Sequence, residues 1–247
     1  MLSRLTKLLI AVATTAALIT APAQAQHVCT GAPGHVQSPV EIDRSQNCGS
    51  ATPAITISYG FADGTMRFRD KNLNGSVDNH DDVSFVPDQL SDPHIMYGTT
   101  KYKLTEVHYH FDAEHKFQGQ AQAPAEAHFV HASASGSTVV LGVLIDGVSV
   151  PASDAHDHPL AGVPTTLGDS WSIGSVNLAG MLPANKASFR YSGSLTSSPY
   201  TPVHWVVFND HVEATDSTIT QVKAPFGAAG NNRDRQNVAP RIYPGNP

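Results

Sequence analysis

Val107-His108-Tyr109-His110-Phe111 and Glu126-Ala127-His128-Phe129-Val130-His131 are the two runs that decide how this chain folds. Successive side chains of a strand point to opposite faces, so His108 and His110 share a face, one pleat apart. Gly119, Gln120 and Pro124 lie between the runs. Such residues favour turns, so the runs can pair as neighbouring strands and bring His128 alongside the first two imidazoles. Three neutral imidazoles on rigid backbone make a zinc site with one open position, the catalytic rather than the closed structural form. Glu126 shares a strand face with His128 and is placed to accept its second N–H, fixing one tautomer.

Outward from these runs, the chain reads as an exported single domain. Arg4 and Lys7 precede an apolar run, Leu8 to Ile19, that is too short to span a bilayer comfortably. Ala23-Gln24-Ala25 offers a small-x-small cleavage site, so residues 1–25 are expected to be a signal peptide and 26–247 one catalytic domain. No later segment is apolar for long enough to cross a membrane, and a periplasmic or secreted protein is expected. The 247 residues carry 15 Lys and Arg against 21 Asp and Glu. That balance argues against a nucleic-acid partner, whose binding rests on phosphate neutralisation. The two cysteines, Cys29 and Cys48, are expected to form a disulfide in an oxidising compartment.

Short β-branched and aromatic runs recur between Gly, Pro, Asn and Asp clusters. Strands are expected near residues 55–59, 65–69, 83–86, 102–111, 125–133, 138–146, 187–192 and 204–212. Helical patterning is thin, with one helix expected over 215–223 and a second near 175–182. This is a mostly β protein with few short helices. The tail from Gly227 onward, rich in Asn, Arg and Pro, reads as irregular.

Further motifs give the chain a family resemblance. Gln37-Ser38-Pro39-Val40-Glu41-Ile42 comes first, then the two histidine runs with Ala113-Glu114-His115 between them. Val139-Val140-Leu141-Gly142-Val143, Tyr191-Ser192-Gly193-Ser194-Leu195-Thr196-Ser197-Ser198-Pro199, His204-Trp205 and Asn232-Arg233 follow. In this order and spacing the chain resembles the α-class carbonic anhydrases, from about Gln37 to Ile242. The resemblance implies a large, twisted, mainly antiparallel central sheet, with Zn2+ as cofactor on His108, His110 and His128. It implies reversible hydration of carbon dioxide to bicarbonate and a proton, by attack of zinc-bound hydroxide. Zinc lowers the pKa of bound water to ~7, a value taken from carbonic anhydrase itself and not obtained from this chain. Thr196 matches the hydroxyl that orients the hydroxide and donates to a carboxylate, and Glu114 matches that carboxylate. Glu126 matches the partner of the third ligand. Val130, Val140, Leu195 and Trp205 match the apolar wall that holds carbon dioxide, with Ser197 beside them. The partners implied are carbon dioxide and bicarbonate; a homodimer is left open.

The chain departs from the family pattern in several places. The usual shuttle histidine follows Asn-Gly; here Asp78-Asn79-His80 is the nearest counterpart, and His80 is the expected shuttle. The residue two before the first ligand is often Gln and here is Glu106. Tyr200 lies where exported relatives carry the second cysteine of the family bridge, which leaves Cys29–Cys48. Of the other histidines, His156 and His158 are expected to be exposed in a loop, His131 buried and hydrogen-bonded, and His115 behind the site.

Two other readings compete. His108-Tyr109-His110 with Glu114 also resembles the first motif of a cupin-type oxygenase or isomerase, with Glu114 as ligand to iron or manganese. The other is a non-catalytic carbonic anhydrase-like zinc-binding module. On the carbonic anhydrase reading, the Glu106 charge raises the basicity of His108. Glu106→Gln is therefore expected to move the pH profile of carbon dioxide hydration to lower pH. An unchanged profile would discard Glu106 as the group that tunes His108.

Overall fold

The computed structural model describes residues 29–49 and 53–245; the expected signal peptide lies outside the described residues. Strands dominate. They are β1 (Glu41–Ile42), β2 (Ile55–Ser58), β3 (Phe61–Arg69), β4 (Asp82–Pro87), β5 (His94–Tyr97), β6 (Thr100–His110) and β7 (Lys116–Phe117). There follow β8 (Ala125–Ser133), β9 (Thr138–Val148), β10 (Ser170–Asn177), β11 (Ser188–Ser194), β12 (Pro202–Phe208), β13 (Val212–Thr215) and β14 (Tyr243–Gly245). Two short helices, α1 (Asp157–Ala161) and α2 (Asp216–Lys223), pack at one end.

Twelve strands form one sheet whose main path runs β10-β3-β4-β6-β8-β9-β12-β11-β14, with β2, β5 and β13 branching from it. Most neighbours are antiparallel, but β12 and β13 both run parallel to β9. β8, most of β9 and the C-terminal end of β6 are buried on both faces, and period-two alternation divides their side chains between two cores. Val107, Tyr109, Phe129, Leu141 and Val143 join the larger cluster on one face. Val140, Leu144 and Trp205 join a smaller one on the other, with Ile42 from β1, Phe117 from β7 and Val40 just before β1. The smaller cluster faces the histidines. The disulfide Cys29–Cys48 pins the N-terminal segment, with Cα atoms 4.8 Å apart. Among the described residues no helix is long and apolar enough to cross a membrane.

Several expectations are corrected. Residues 175–182 do not form a helix. Ser170–Asn177 is a strand paired with β3, and turns follow. Its Ser- and Gly-containing sequence shows no alternation, because it is an exposed edge strand held by a long-range ladder with a bulge between Ile173 and Val176. The run 204–212 breaks at Asn209-Asp210-His211, and Val212–Thr215 pairs separately with the far end of β9. His156 is buried, not exposed: it sits at the start of α1, with Nε2 2.8 Å from the Met181 carbonyl oxygen and the Tyr109 hydroxyl near Nδ1. His158 stays exposed. His131 is buried between the Tyr59 hydroxyl and the Val139 carbonyl. The tail is irregular until β14 and docks on the core by polar contacts.

Burial pushes His131 down to about 3 and His156 down to about 4. Both are neutral in the fold, whereas the unfolded chain takes up protons below the ordinary value of ~6.5. Between that value and the folded ones the unfolded state binds more protons, so stability falls as pH falls. Each histidine is expected to remove about 2 kcal/mol between pH 6.5 and 5. Denaturant unfolding of metal-free protein across that range checks this, and His156→Gln should make the decline shallower.

Candidate metal centre

The two histidine strands pair in the register that alternation requires: His108 stands opposite His128, and His110 opposite Glu126. The ligand nitrogens of His108, His110 and His128 all lie within 4.8 Å of one another. Each imidazole is held from behind. His108 Nδ1 is 2.9 Å from Glu106 Oε1, His110 Nδ1 is 3.2 Å from the Asn231 carbonyl oxygen, and His128 Nε2 is 2.9 Å from Glu126 Oε1. These bonds turn His108 Nε2, His110 Nε2 and His128 Nδ1 toward a common point. His110 Nε2 is buried with no hydrogen-bond partner. His108 Nε2 and His128 Nδ1 stand 3.3 Å apart, the separation two nitrogens adopt about 2.0–2.1 Å from one tetrahedral ion. Burial outweighs the neighbouring carboxylates and lowers His108, and it lowers His128 to about 4. Both rings are therefore neutral near pH 7, the form a metal requires. The donor set fits zinc with one position open.

Glu126 is fully buried and accepts four hydrogen bonds. Oε2 takes the backbone N–H groups of Glu114 (2.9 Å) and His115 (2.7 Å). Oε1 takes His115 Nδ1 (2.8 Å) and His128 Nε2 (2.9 Å). Burial alone would raise this carboxyl, but His115 and His128 hold it well below the usual range. Gly142, opposite His128, leaves it room, since a Cβ there would lie 2.9 Å from Oε1. Behind His115 the chain of contacts continues to the Tyr191 hydroxyl (2.7 Å) and on to Ser38 Oγ (2.9 Å).

Glu106 does contact His108, but its charge is shared. Arg69 reaches Glu106 at 2.6 Å and Asp82 at 2.6 Å, and Lys71 is 3.2 Å from Asp82. Burial opposes ionisation of Glu106, yet His108 and Arg69 keep it well below the carboxylate range. The guanidinium offsets part of the field that Glu106 exerts on His108. Sequence reading missed this pair, because Arg69 and Asp82 lie on β3 and β4 and meet Glu106 only through sheet pairing.

A cavity of about 160 Å³ opens beside the histidines, lined by His110, Glu114, Thr196, Ser197, Asn79 and His80 among others. Glu114 Oε1 accepts the Arg233 backbone N–H at 2.8 Å, and Oε2 is buried without a partner. No hydrogen bond joins Thr196 to Glu114 among the described residues. Val140 and Trp205 are buried in the cluster facing the site, with Val130 and Leu195 packed against it. The Trp205 ring stands 4.8 Å from that of His128. The His80 side chain is 68% exposed at the cavity's edge. Asn231 also went unread. Its side chain accepts from Phe111 N and donates to the carbonyls of Asp81 and Tyr109, and no local signal marks an Asn in an irregular tail for that task.

A twelve-stranded twisted sheet with three histidines converging from two adjacent strands defines a β-sheet metal-binding protein. Residues 22–240 match the family model for eukaryotic-type carbonic anhydrase; the chain belongs to that family. It is similar to a carbonic anhydrase of Pectobacterium atrosepticum, 25% identical over 85% of this chain and 79% of that protein. A carbonic anhydrase of Nostoc is 29% identical over 54% of this chain, a match spanning only 50% of the Nostoc protein's length. Among solved structures, a hyperthermostable carbonic anhydrase from a hydrothermal vent chimney superposes with a TM-score of 0.72 at 26% identity, covering 86% of this chain and 89% of that one.

Asn231→Ala removes three buried side-chain bonds and is expected to cost about 2–4 kcal/mol of stability. By loosening the carbonyl behind His110 it should also weaken metal binding ~10-fold. Chemical denaturation and a competitive chelator titration read the two effects.

Proposed function

We propose that this chain catalyses the reversible hydration of carbon dioxide, with zinc held by His108, His110 and His128. The observation that carries the reading is the buried, unpartnered His110 Nε2, facing two other imidazole nitrogens at tetrahedral spacing beside a cavity that also holds Thr196 and Glu114. When bound, zinc supplies a Lewis acid that brings the pKa of a water to ~7 and so makes a nucleophile near neutrality.

The chain's own groups do the rest. Glu114, held through Oε1 by Arg233 N, keeps Oε2 open to accept the Thr196 hydroxyl proton. A hydroxyl has one proton, so that donation leaves the Thr196 lone pairs to orient the attacking oxygen. Val130, Val140, Leu195 and Trp205 supply an apolar wall suited to carbon dioxide, with Ser197 at its rim. His80, exposed at the cavity's edge, carries the released proton to bulk water. Glu126 orients His128, and Glu106 orients His108. The Cys29–Cys48 bridge supports a periplasmic or secreted location. The cupin reading is disfavoured, because Glu114 does not join the cluster of ligand nitrogens.

Purified protein is expected to hold one zinc and to hydrate carbon dioxide in a stopped-flow indicator assay. Chelation or His110→Ala should abolish this, and Thr196→Ala should slow it ~10²-fold. Full zinc occupancy without hydration would leave the non-catalytic module as the surviving reading. Iron or manganese in place of zinc would revive the cupin reading.

A further inference from the structure

Lys186, Ser188 and Arg190 fall at alternate positions just before and along β11, so their side chains share one face. They line a cavity of about 280 Å³ together with Ile55, Ile57, Val206 and Phe208. We propose that this cavity binds an aliphatic monocarboxylate, its carboxylate on Arg190 and Ser188 and its chain among the four apolar residues.

The sheet sets the site apart from the histidines. Across the β11–β12 ladder Ser188 stands opposite Phe208 and Arg190 opposite Val206. Val206 and Phe208 belong to the larger core, whereas Tyr191, next to Arg190, belongs to the smaller cluster that faces the histidines. Alternation therefore sends Arg190 out of the opposite face, and the proposal does not rest on carbon dioxide chemistry.

Arg190 is 8% exposed, and its one hydrogen bond runs from Nη1 to the Pro53 carbonyl oxygen at 2.6 Å. Nε is buried with no partner. Nε and Nη2 form the guanidinium edge that takes a carboxylate through two parallel bonds. Gly245 of β14, paired with Ser188, leaves that edge clear of a side chain. An atom where its Cβ would stand lies 2.7 Å from Nε, 2.9 Å from Nη2 and 2.9 Å from Ser188 Oγ. Three donors thus surround one spot that no side chain fills.

The charge of this corner is unmatched. Every Asp and Glu of the chain lies among the described residues. The Arg and Lys side chains that pair with them are Arg69, Lys71, Lys101, Lys103, Lys116 and Lys223. Lys186 Nζ reaches only the Pro183 carbonyl. Burial lowers both Arg190 and Lys186, and only the Tyr97 hydroxyl, for Arg190, acts against it. A buried cation is ordinarily paired, so an anion is the missing partner. The volume is close to the ~300 Å³ lower end of small-molecule sites. Beyond the cationic corner, Ile55, Ile57, Val206 and Phe208 suit an alkyl chain better than the remaining oxygens of a phosphate.

Titration calorimetry of the zinc-loaded protein with butanoate, hexanoate and octanoate tests this. Octanoate is expected to bind with a Kd of about 1 mM or tighter, and affinity should rise about fourfold per methylene along the series. Arg190→Met should weaken octanoate at least ~10-fold. Gly245→Ala, which keeps the charge and puts a methyl on the donor point, should do the same, and Lys186→Gln should weaken it ~3-fold. His110→Ala should bind octanoate as the parent does. No heat from octanoate at about 10 mM overturns the proposal, and so does affinity that ignores chain length. Unchanged binding in both Gly245→Ala and Lys186→Gln overturns it even if Arg190→Met fails to fold. Loss of binding in His110→Ala would move the carboxylate to the metal centre and overturn it as well.

Discussion

The hydrogen bonds to Glu126 tie the chemistry of this protein to its fold. One fully buried carboxylate accepts four donors: two backbone N–H groups that position Glu114, the ring of His115, and the ring of His128. An anion in a low-dielectric interior is costly unless its lone pairs are met, and here all of them are. The same group therefore orients His128 and fixes the backbone of Glu114, which lines one cavity with Thr196. Through His115, Tyr191 and Ser38 the contacts extend to the N-terminal segment and to β11. The four donors all lie within twelve residues of Glu126, and it is the contacts behind His115 that tie this carboxylate to distant parts of the chain.

The sheet makes such a polar cluster tolerable by separating its two faces. One face carries the larger apolar core, with Tyr109 and Phe129 at its centre. The histidines alternate with these residues and point the other way, where Trp205, Val140 and Leu144 form a smaller apolar cluster around the polar site. Shifting either histidine strand by one residue would exchange the two sets, so register carries both stability and ligand geometry. The remaining anchors come from the irregular tail: Asn231 behind His110 and Arg233 N on Glu114.

Much of this was legible in the linear sequence for definite reasons. The histidine strands alternate cleanly, and the strand expected over 125–133 lies where it was read. The convergence of His108, His110 and His128 follows from pleat geometry and an antiparallel pairing. Other features escaped because their signals are not local. β10 lacks alternation since it lies exposed at an edge, and β13 is defined only by its parallel pairing with β9. His156 looks like a loop histidine in sequence, yet the approach of Met181 and Tyr109 buries it. Arg69 and Asp82 temper Glu106 only because β3, β4 and β6 lie side by side.

Residue order alone settled which groups could act as ligands, which face of each strand they occupy, and the mostly β character of the domain. Those properties depend on the alternation of one short segment at a time. Tertiary structure decided what stands behind each ligand, how the charge of Glu106 is shared, and which histidines are sealed from water. Those depend on contacts between residues many positions apart, as between His110 and Asn231, and no local pattern encodes which distant backbone atom will arrive at hydrogen-bonding distance.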